Sequence, residues 1–129
     1  MKYALIGCGR VAPSHINAAK ANGFDIAAVC DIRDGNIDDM FDRSVLSPEE
    51  AAAVRRYADY REMVRTEQPE LVSIALPSGL HAEAALFVIE SGVNVIIEKP
   101  IAMSMADADA IVEAAHEHIK HKFLWHLLQ

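Results

Sequence analysis

Four short runs of apolar residues divide the chain. They lie at residues 3–6, 26–30, 71–76 and 93–97. Each run is nearly continuous rather than alternating, which is typical of strands buried on both faces of a parallel sheet. Apolar positions with helical spacing lie between and after these runs, at Val11, His15, Ala18 and Ala19, at Ala84, Ala85, Val88 and Ile89, and at Met105, Ala108, Ile111, Val112, Ala115 and Ile119. The alternation predicts an α/β fold with a doubly wound, mostly parallel sheet.

Capping signals support this division of the chain. Ser47 precedes a proline and stands three residues before Glu50, which indicates a capping box at the start of a helix. Asp59 and Ser104 are placed to cap two further helices. We expect a short helix and an exposed loop within 33–47, and a short strand at 56–58.

Composition adds limits on the class of protein. The 129 residues, 52% of them hydrophobic and 24% charged, predict one folded domain. The net charge of −7 argues against nucleic acid or an anionic membrane surface as a partner. No apolar stretch approaches the roughly 20 residues that a membrane span needs. Two cysteines do not make a disulfide framework, and we expect a cytoplasmic protein.

A glycine-rich loop follows the first predicted strand. Residues 7–12 read Gly-Cys-Gly-Arg-Val-Ala and open a predicted helix, which is the G-x-G-x-x-G/A arrangement of dinucleotide-binding folds. Gly7 permits the tight turn, Gly9 lets the backbone approach a pyrophosphate, and Ala12 lets the helix pack close to the sheet. The positive end of the helix then faces the phosphates.

An acidic residue follows the second strand. Asp31 lies 24 residues after Gly7, where a carboxylate accepts hydrogen bonds from the ribose hydroxyls and repels a 2′-phosphate. Arg33 lies two residues further on and can accommodate such a phosphate. The pattern therefore favours NAD and leaves NADP open.

Two more segments carry a family resemblance. Residues 73–81 read Ser-Ile-Ala-Leu-Pro-Ser-Gly-Leu-His, and residues 94–100 read Asn-Val-Ile-Ile-Glu-Lys-Pro. Together with the glycine loop and Asp31, they resemble the N-terminal half of the Gfo/Idh/MocA oxidoreductases, the family of glucose–fructose oxidoreductase and inositol dehydrogenase. The resemblance covers residues 1 to about 118 and is nearest to dehydrogenases of nucleotide-linked sugars or sugar acids. It implies a Rossmann domain at 1–118, NAD or NADP as cofactor, and a sugar or cyclitol hydroxyl as substrate.

The resemblance also implies roles for single residues. Pro77, Ser78 and His81 would line the cofactor groove, and Glu98 would approach the nicotinamide ribose. Lys99 would be the catalytic residue, beside the substrate carbon that gives up a hydride, because an ammonium stabilises a developing alkoxide. With the residues predicted above, the cofactor-binding set is Gly7, Cys8, Gly9, Arg10, Val11, Asp31, Ile32, Arg33, Leu76, Pro77, Ser78, His81, Glu98 and Lys99.

The end of the chain departs from the family pattern. In the family a second α/β domain follows and supplies the residue that abstracts the proton, whereas here residues 119–129 form an atypical tail or an edge strand. We therefore expect a truncated chain that binds cofactor without full catalysis, the alternative being a non-catalytic nucleotide-binding module or a remnant. An uncovered apolar face predicts self-association into a homo-oligomer.

Four histidines near the end of the chain invite comparison with metal sites. His116, His118, His121 and His126 are spaced by 2, 3 and 5 residues, so no pair has the i, i+4 spacing that suits zinc on a helix. The sequence predicts no metal site.

Overall fold

Six parallel strands form one sheet. The computed structural model describes residues 1–98, 102, 104–117 and 123–126, and of residues 78 and 123–126 only the backbone. The strands are β1 (Lys2–Ile6), β2 (Asp25–Cys30), β3 (Arg55–Tyr57), β4 (Leu71–Ile74), β5 (Asn94–Glu98) and β6 (Phe123–His126). Their order across the sheet is β3-β2-β1-β4-β5-β6, and every neighbouring pair is parallel. The predicted doubly wound fold is confirmed. The short strand predicted at 56–58 corresponds to β3, and β6 lies at the edge of the sheet.

Helices connect successive strands. They are α1 (Ala12–Ala21), α2 (Asp34–Asp42), α3 (Pro48–Ala52), α4 (Tyr60–Glu67), α5 (His81–Glu90) and α6 (Met105–Glu117), with a 3₁₀ turn at Ser78–Leu80. In the part of the chain that the structure describes, no helix combines the length and apolarity needed to cross a membrane.

The sheet separates two apolar layers. Along β1, Tyr3 and Leu5 join one cluster, which contains residues of α1 and α2. Ala4 and Ile6 alternate with them and join the other cluster, which contains residues of α4, α5 and α6. Because both faces of β1 are covered, all of its core positions are apolar, as the continuous run in the sequence indicated.

The predicted apolar faces are correct for α5 and wrong in part for α1 and α6. Ala18, predicted on the buried face of α1, is exposed. That face is centred on Ile16, and two residues turn a helix by about 200°. On α6, Ile111 is buried, but Met105 is 76% exposed and Val112 is also exposed. The reason is that α6 packs mainly beside α5, so a narrow stripe suffices. Ile119 lies outside the described residues.

Side-chain caps start three helices where the sequence predicted them. Ser47 and Glu50 form a reciprocal capping box, with hydrogen bonds of 3.1 and 2.9 Å. Asp59 accepts a hydrogen bond from the Arg61 N–H at 2.9 Å, and the Ser104 hydroxyl accepts one from the Asp107 N–H at 3.1 Å. Local sequence therefore determines where these helices begin.

A buried carboxylate at the end of α4 joins the helix to the sheet. Both Glu67 oxygens accept hydrogen bonds from the Arg55 guanidinium at 2.6 Å, and one also accepts from the Tyr57 hydroxyl at 2.5 Å. The Lys2 ammonium lies 3.5 Å away. The Arg55 hydrogen bonds outweigh the effect of burial and lower the pKa of Glu67 to about 2.

We predict that Glu67→Gln lowers the free energy of unfolding by about 2 kcal/mol at neutral pH, since it removes the charge that these donors share. The folded-state pKa of Glu67 lies below its ordinary value of 4.5, so its stabilising effect is present above pH 4.5 and is lost as pH falls toward 2. Urea unfolding followed by circular dichroism across that pH range should therefore show a flatter dependence for the variant.

The matched control is Asp38→Asn, which removes an exposed carboxylate 2.7 Å from the Arg56 guanidinium. Exposed pairs contribute little, so we expect a change below about 1 kcal/mol. Equal losses in the two variants would contradict the role assigned to the buried cluster.

Candidate functional site

A cleft lies at the carboxyl edge of the sheet, beside β1. The chain leaves β1 toward β2 on one side and later returns to pair β4 on the other side. Such a reversal opens a crevice at the carboxyl ends of the strands, where α/β proteins bind ligands. The cleft has a volume of about 270 Å³. Its walls are formed by Ile6, Cys30, Asp31, Ile32, Arg33, Asn36, Tyr60, Leu76, Pro77 and Leu80.

Gly7 lies between the end of β2 and the backbone that follows β4. Its φ of +92° belongs to the left-handed region, and its N–H donates to the Cys30 carbonyl at 2.8 Å. A Cβ on Gly7 would lie 2.8 Å from the backbone carbon and oxygen of Ala75. The Ala75 backbone leaves no room for a Cβ, and the positive φ is unfavourable for any residue that has one. A side chain is therefore excluded at Gly7.

Gly9 and Ala12 differ from Gly7 in their surroundings. A Cβ on Gly9 would meet no atom within 4 Å, so the loop is open to solvent at this point. Ala12 is fully buried, and its N–H donates to the Gly9 carbonyl at 3.3 Å. Helix α1 starts here with no acidic residue in its first turn and no side-chain cap from Val11. Its positive end is thus available to an anion.

Asp31 connects the glycine loop with the turn that enters α2. One carboxylate oxygen accepts the Cys8 N–H at 3.0 Å. The other accepts the Arg33 N–H at 2.8 Å and the Asn36 side-chain amide at 3.1 Å. Ile32 lies between Asp31 and Arg33 in the sequence, and its side chain is 84% exposed at the rim of the cleft. The structure thus places Asp31, the predicted acidic residue, next to the predicted glycine loop.

Arg43 is a contact of the glycine loop that sequence reasoning missed. Its guanidinium donates to the Arg10 carbonyl at 3.3 Å and to the Gly9 carbonyl at 3.4 Å, and it also pairs with Asp39 at 3.1 Å. No motif or spacing points to it, because it acts on the loop from the far end of α2. It places a positive charge on the outer side of the loop.

The two cysteines are buried and electrically neutral. Burial, together with the nearby Asp31 carboxylate, raises the pKa of both Cys8 and Cys30 to about 12. A thiol that stays protonated at neutral pH is a poor nucleophile. The Cys8 thiol donates to the Cys30 carbonyl at 3.7 Å, so it serves as a small packing residue in the turn.

The segment after β4 forms the opposite wall of the cleft. His81 is almost fully buried at the start of α5, and its Nε2–H donates to the Leu76 carbonyl at 2.6 Å. Leu76 and Pro77 line the cleft, and Leu80 does so while 52% exposed. His81 therefore supports the wall from behind. The side chain of Ser78 lies outside the description, so its predicted contact stays a prediction.

The end of β5 carries a buried acid. Glu98 is 4% exposed, and one of its oxygens contacts Nε2 of His15, which is 7% exposed. His15 belongs to α1, so this contact joins the helix of the glycine loop to the strand that ends at Glu98. The predicted catalytic Lys99 and the proline after it lie outside the described residues.

Of the four histidines near the end of the chain, the structure describes the side chain of His116. His116 is exposed at the end of α6, while His118 and His121 lie outside the described residues. Among the residues whose placement is described, no three His, Cys, Asp or Glu side chains are grouped so as to hold a metal ion.

The family follows from comparison with known proteins. A profile of the Gfo/Idh/MocA proteins, described as an oxidoreductase family with an NAD-binding Rossmann fold, matches residues 1–124. This chain belongs to that family. The resemblance inferred from the glycine loop, Asp31 and residues 94–100 is thereby confirmed, as is NAD as the cofactor of the fold.

Relatives in the family have more than one activity. Inositol 2-dehydrogenase of Salmonella typhimurium is 26% identical over 122 residues, which are 93% of this chain and 34% of that protein. Alpha-N-acetylgalactosaminidase of Shewanella oneidensis is 25% identical over 124 residues, 94% of this chain and 27% of that protein. The chain thus spans about a third or less of the length of these relatives.

A solved structure shows the same fold with a cofactor bound. The WlbA dehydrogenase of Chromobacterium violaceum, in complex with NADH and UDP-GlcNAcA, superposes with a TM-score of 0.82 at 27% identity. The match covers 99% of this chain and 34% of that chain.

We predict that the same substitution changes the free energy of unfolding strongly at one glycine and weakly at another. Gly7→Ala should lower the free energy of unfolding by about 3 kcal/mol or more, because the new methyl group meets the Ala75 backbone at a strained φ. Gly9→Ala is the matched control and should change it by less than about 1 kcal/mol, since its methyl group enters open space. Urea unfolding measures both, and similar losses would refute the distinction.

Proposed function

We propose that this chain binds NAD in the cleft beside β1 and forms the cofactor-binding part of an oxidoreductase that oxidises a sugar or cyclitol hydroxyl. The observation that carries the proposal is the meeting of three features at the point where the strand order reverses. These are the open glycine loop at Gly9, the carboxylate of Asp31 and the apolar rim of Ile32 and Leu80.

Each part of the cofactor has a matching group. The pyrophosphate would lie on the glycine loop and the start of α1, where Gly9 leaves room and the helix supplies positive potential. Asp31 would accept hydrogen bonds from the adenosine ribose hydroxyls. The exposed side chains of Ile32 and Leu80 would cover the faces of the adenine ring, which explains why large apolar groups stand in solvent here.

The same arrangement favours NAD over NADP. A 2′-phosphate would be placed next to the Asp31 carboxylate, and like charges at close range repel. Arg33 lies at the same wall but contacts Asp31 through its backbone N–H and not through its guanidinium. The negative charge of Asp31 is therefore not neutralised by Arg33. We therefore assign NAD as the preferred cofactor.

The redox step would use residues at the end of β5. Nicotinamide, when bound, accepts a hydride from the substrate carbon. Glu98 would hold the nicotinamide ribose, and Lys99 would orient the substrate hydroxyl and stabilise negative charge on its oxygen. The family resemblance implies that the base acts from a second domain, which corresponds to the part of the relatives that this chain does not span.

A second candidate is a module that binds NAD without turnover. The chain aligns with 34% of inositol 2-dehydrogenase and 27% of the α-N-acetylgalactosaminidase, so cofactor binding and the activity of those whole proteins have to be tested separately. Incubation with NAD and a panel of sugars, inositols and nucleotide-linked sugars separates the two candidates. Growth of NADH fluorescence supports oxidation by the chain itself, and binding without NADH supports the module.

We predict that Asp31→Asn weakens NAD binding about tenfold, because the ribose hydroxyls lose a charged acceptor. Affinity for NADP should fall less or rise. The dissociation constant for NADP divided by that for NAD should therefore become smaller. Isothermal titration calorimetry of the 129-residue chain measures both constants.

Asp34→Asn is the control, because Asp34 is exposed at the start of α2, three residues after Asp31, and pairs with Arg56 instead of lining the cleft. It should leave both dissociation constants within about twofold of the original values. If the unsubstituted chain binds neither NAD nor NADP, the proposed function is wrong.

A further inference from the structure

Arg43 contacts the backbone of the glycine loop from outside it. Its Nη1–H donates to the Arg10 carbonyl at 3.3 Å, and its Nη2–H donates to the Gly9 carbonyl at 3.4 Å. Nη2 also lies 3.1 Å from the carboxylate of Asp39, one helical turn earlier in the chain. Two nitrogens of one planar guanidinium thus hold two consecutive carbonyls of the loop.

These contacts determine the direction of two peptide units. A trans peptide unit is planar, and its carbonyl and N–H point in opposite directions. The Gly9 and Arg10 carbonyls face Arg43. The N–H groups of the same peptide units, which belong to Arg10 and Val11, therefore face away from it. Among the residues that the structure describes, neither of these N–H groups donates to a protein acceptor, so both are available to an anion.

The loop depends on such contacts because packing does not hold its middle in place. Gly9 and Arg10 are exposed, and a Cβ on Gly9 would meet no atom within 4 Å. Glycine also adopts a wider range of backbone angles than other residues, so the peptide units beside it turn easily. A turn hydrogen bond of 3.3 Å joins the Ala12 N–H to the Gly9 carbonyl. Arg43 adds a second donor to that carbonyl and extends the support to the carbonyl of Arg10.

The positive charge of Arg43 is the alternative explanation for an effect on a bound anion. Its side chain is 41% exposed and pairs with Asp39, so solvent, salt and a neighbouring carboxylate all weaken its field at a distance. Its hydrogen bonds, by contrast, act on the loop by direct contact. The geometry therefore favours a role through the carbonyls over a role through charge alone.

We propose that Arg43 is a positioning residue for the pyrophosphate of the cofactor: by holding two loop carbonyls, it keeps the N–H groups of Arg10 and Val11 directed at the phosphate oxygens. The proposal rests on the proposed function, because it assumes that NAD binds with its pyrophosphate on the glycine loop. It extends the phosphate site to a residue that follows α2, outside the glycine motif.

Three ligands of increasing length separate this role from a general effect on folding. Adenosine contains the ribose that Asp31 would bind and has no phosphate, ADP adds the pyrophosphate, and NAD adds the second nucleoside. A residue that orients the phosphate-binding N–H groups affects ADP and NAD only. A residue that merely supports the fold affects all three ligands.

Nuclear magnetic resonance titration of the isotope-labelled full chain measures the three dissociation constants and follows the N–H signals of Arg10 and Val11 directly. For Arg43→Gln we expect ADP and NAD to bind about fivefold more weakly, while adenosine stays within about twofold. The signals of both N–H groups should shift in this variant before any ligand is added, because their peptide units are no longer held.

Arg43→Lys separates hydrogen bonding from charge. Lysine keeps the positive charge but has one nitrogen in place of the two that reach the carbonyls. We therefore expect Arg43→Lys to resemble Arg43→Gln. The losses of ADP and NAD affinity should also persist at about 0.5 M salt, where an effect of charge alone would be screened.

The matched control is Asn17→Ala. The Asn17 side-chain oxygen accepts the Val45 N–H at 2.9 Å, so it joins α1 to the segment after α2 without contacting the loop carbonyls. Val45 is exposed, and water can replace the lost acceptor. All three dissociation constants should stay within about twofold of those of the unsubstituted chain.

Several results would overturn the inference. Equal weakening of all three ligands in Arg43→Gln indicates a role in folding, and an equal loss in Asn17→Ala indicates that contact between α1 and α2 is what matters. Arg43→Lys that binds like the unsubstituted chain indicates that charge alone acts. If Arg43→Gln does not fold, Arg43→Lys decides: selective loss of ADP and NAD supports the inference, and unchanged binding refutes it.

Failure of the proposed function is distinguishable from failure of this inference. A chain that binds neither ADP nor NAD before substitution refutes both. A chain whose NAD affinity is the same with and without Arg43→Gln refutes the inference alone.

Discussion

The close approach of backbone at Gly7 is the constraint on which the site depends. The Gly7 N–H donates to the end of β2, and the position of its missing side chain is occupied by the Ala75 backbone that follows β4. Three strand ends can converge this closely only where the middle one carries no Cβ. Beyond that point the chains diverge into the glycine loop, the Asp31 turn and the segment after β4, and their divergence forms the cleft.

The groups around the glycine loop differ in charge from the protein as a whole. The chain has a net charge of −7, yet the proposed ligand carries a negative pyrophosphate. Recognition then has to come from short-range groups, because long-range attraction is absent. The start of α1 has no acidic residue in its first turn, and Arg43 lies on the outer side of the loop. The Asp31 carboxylate accepts the Cys8 N–H of that loop at 3.0 Å, and under the proposed function it would discriminate between cofactors at the ribose.

The features that sequence predicted are those determined by neighbours in the chain. The four continuous apolar runs became central strands because both faces of the sheet are covered, and the Ser47 capping box formed because its partners are three residues apart. The glycine loop and Asp31 were found because a strand and a helix flank them at fixed spacing. Arg43 and the His15–Glu98 pair were missed, since their partners lie 33 to 83 residues away and only the folded sheet brings them together. The burial of Ala18 was predicted wrongly for a related reason, because the buried face of a helix depends on how it packs against the sheet.

A parallel sheet also separates the groups that stabilise the domain from those that would bind its ligand. Glu67 ends the helix that leads into β4, and its partners Lys2 and Arg55 stand at the beginnings of β1 and β3, so this ion cluster lies at the amino edge. The cleft lies at the carboxyl edge, where strand ends leave backbone groups and loops free to differ. The His15–Glu98 contact is buried like a core interaction, yet it lies at the carboxyl end of β5. The contact joins α1, which begins at the glycine loop, to the carboxyl end of β5, so a core interaction links two of the elements that meet at the carboxyl edge.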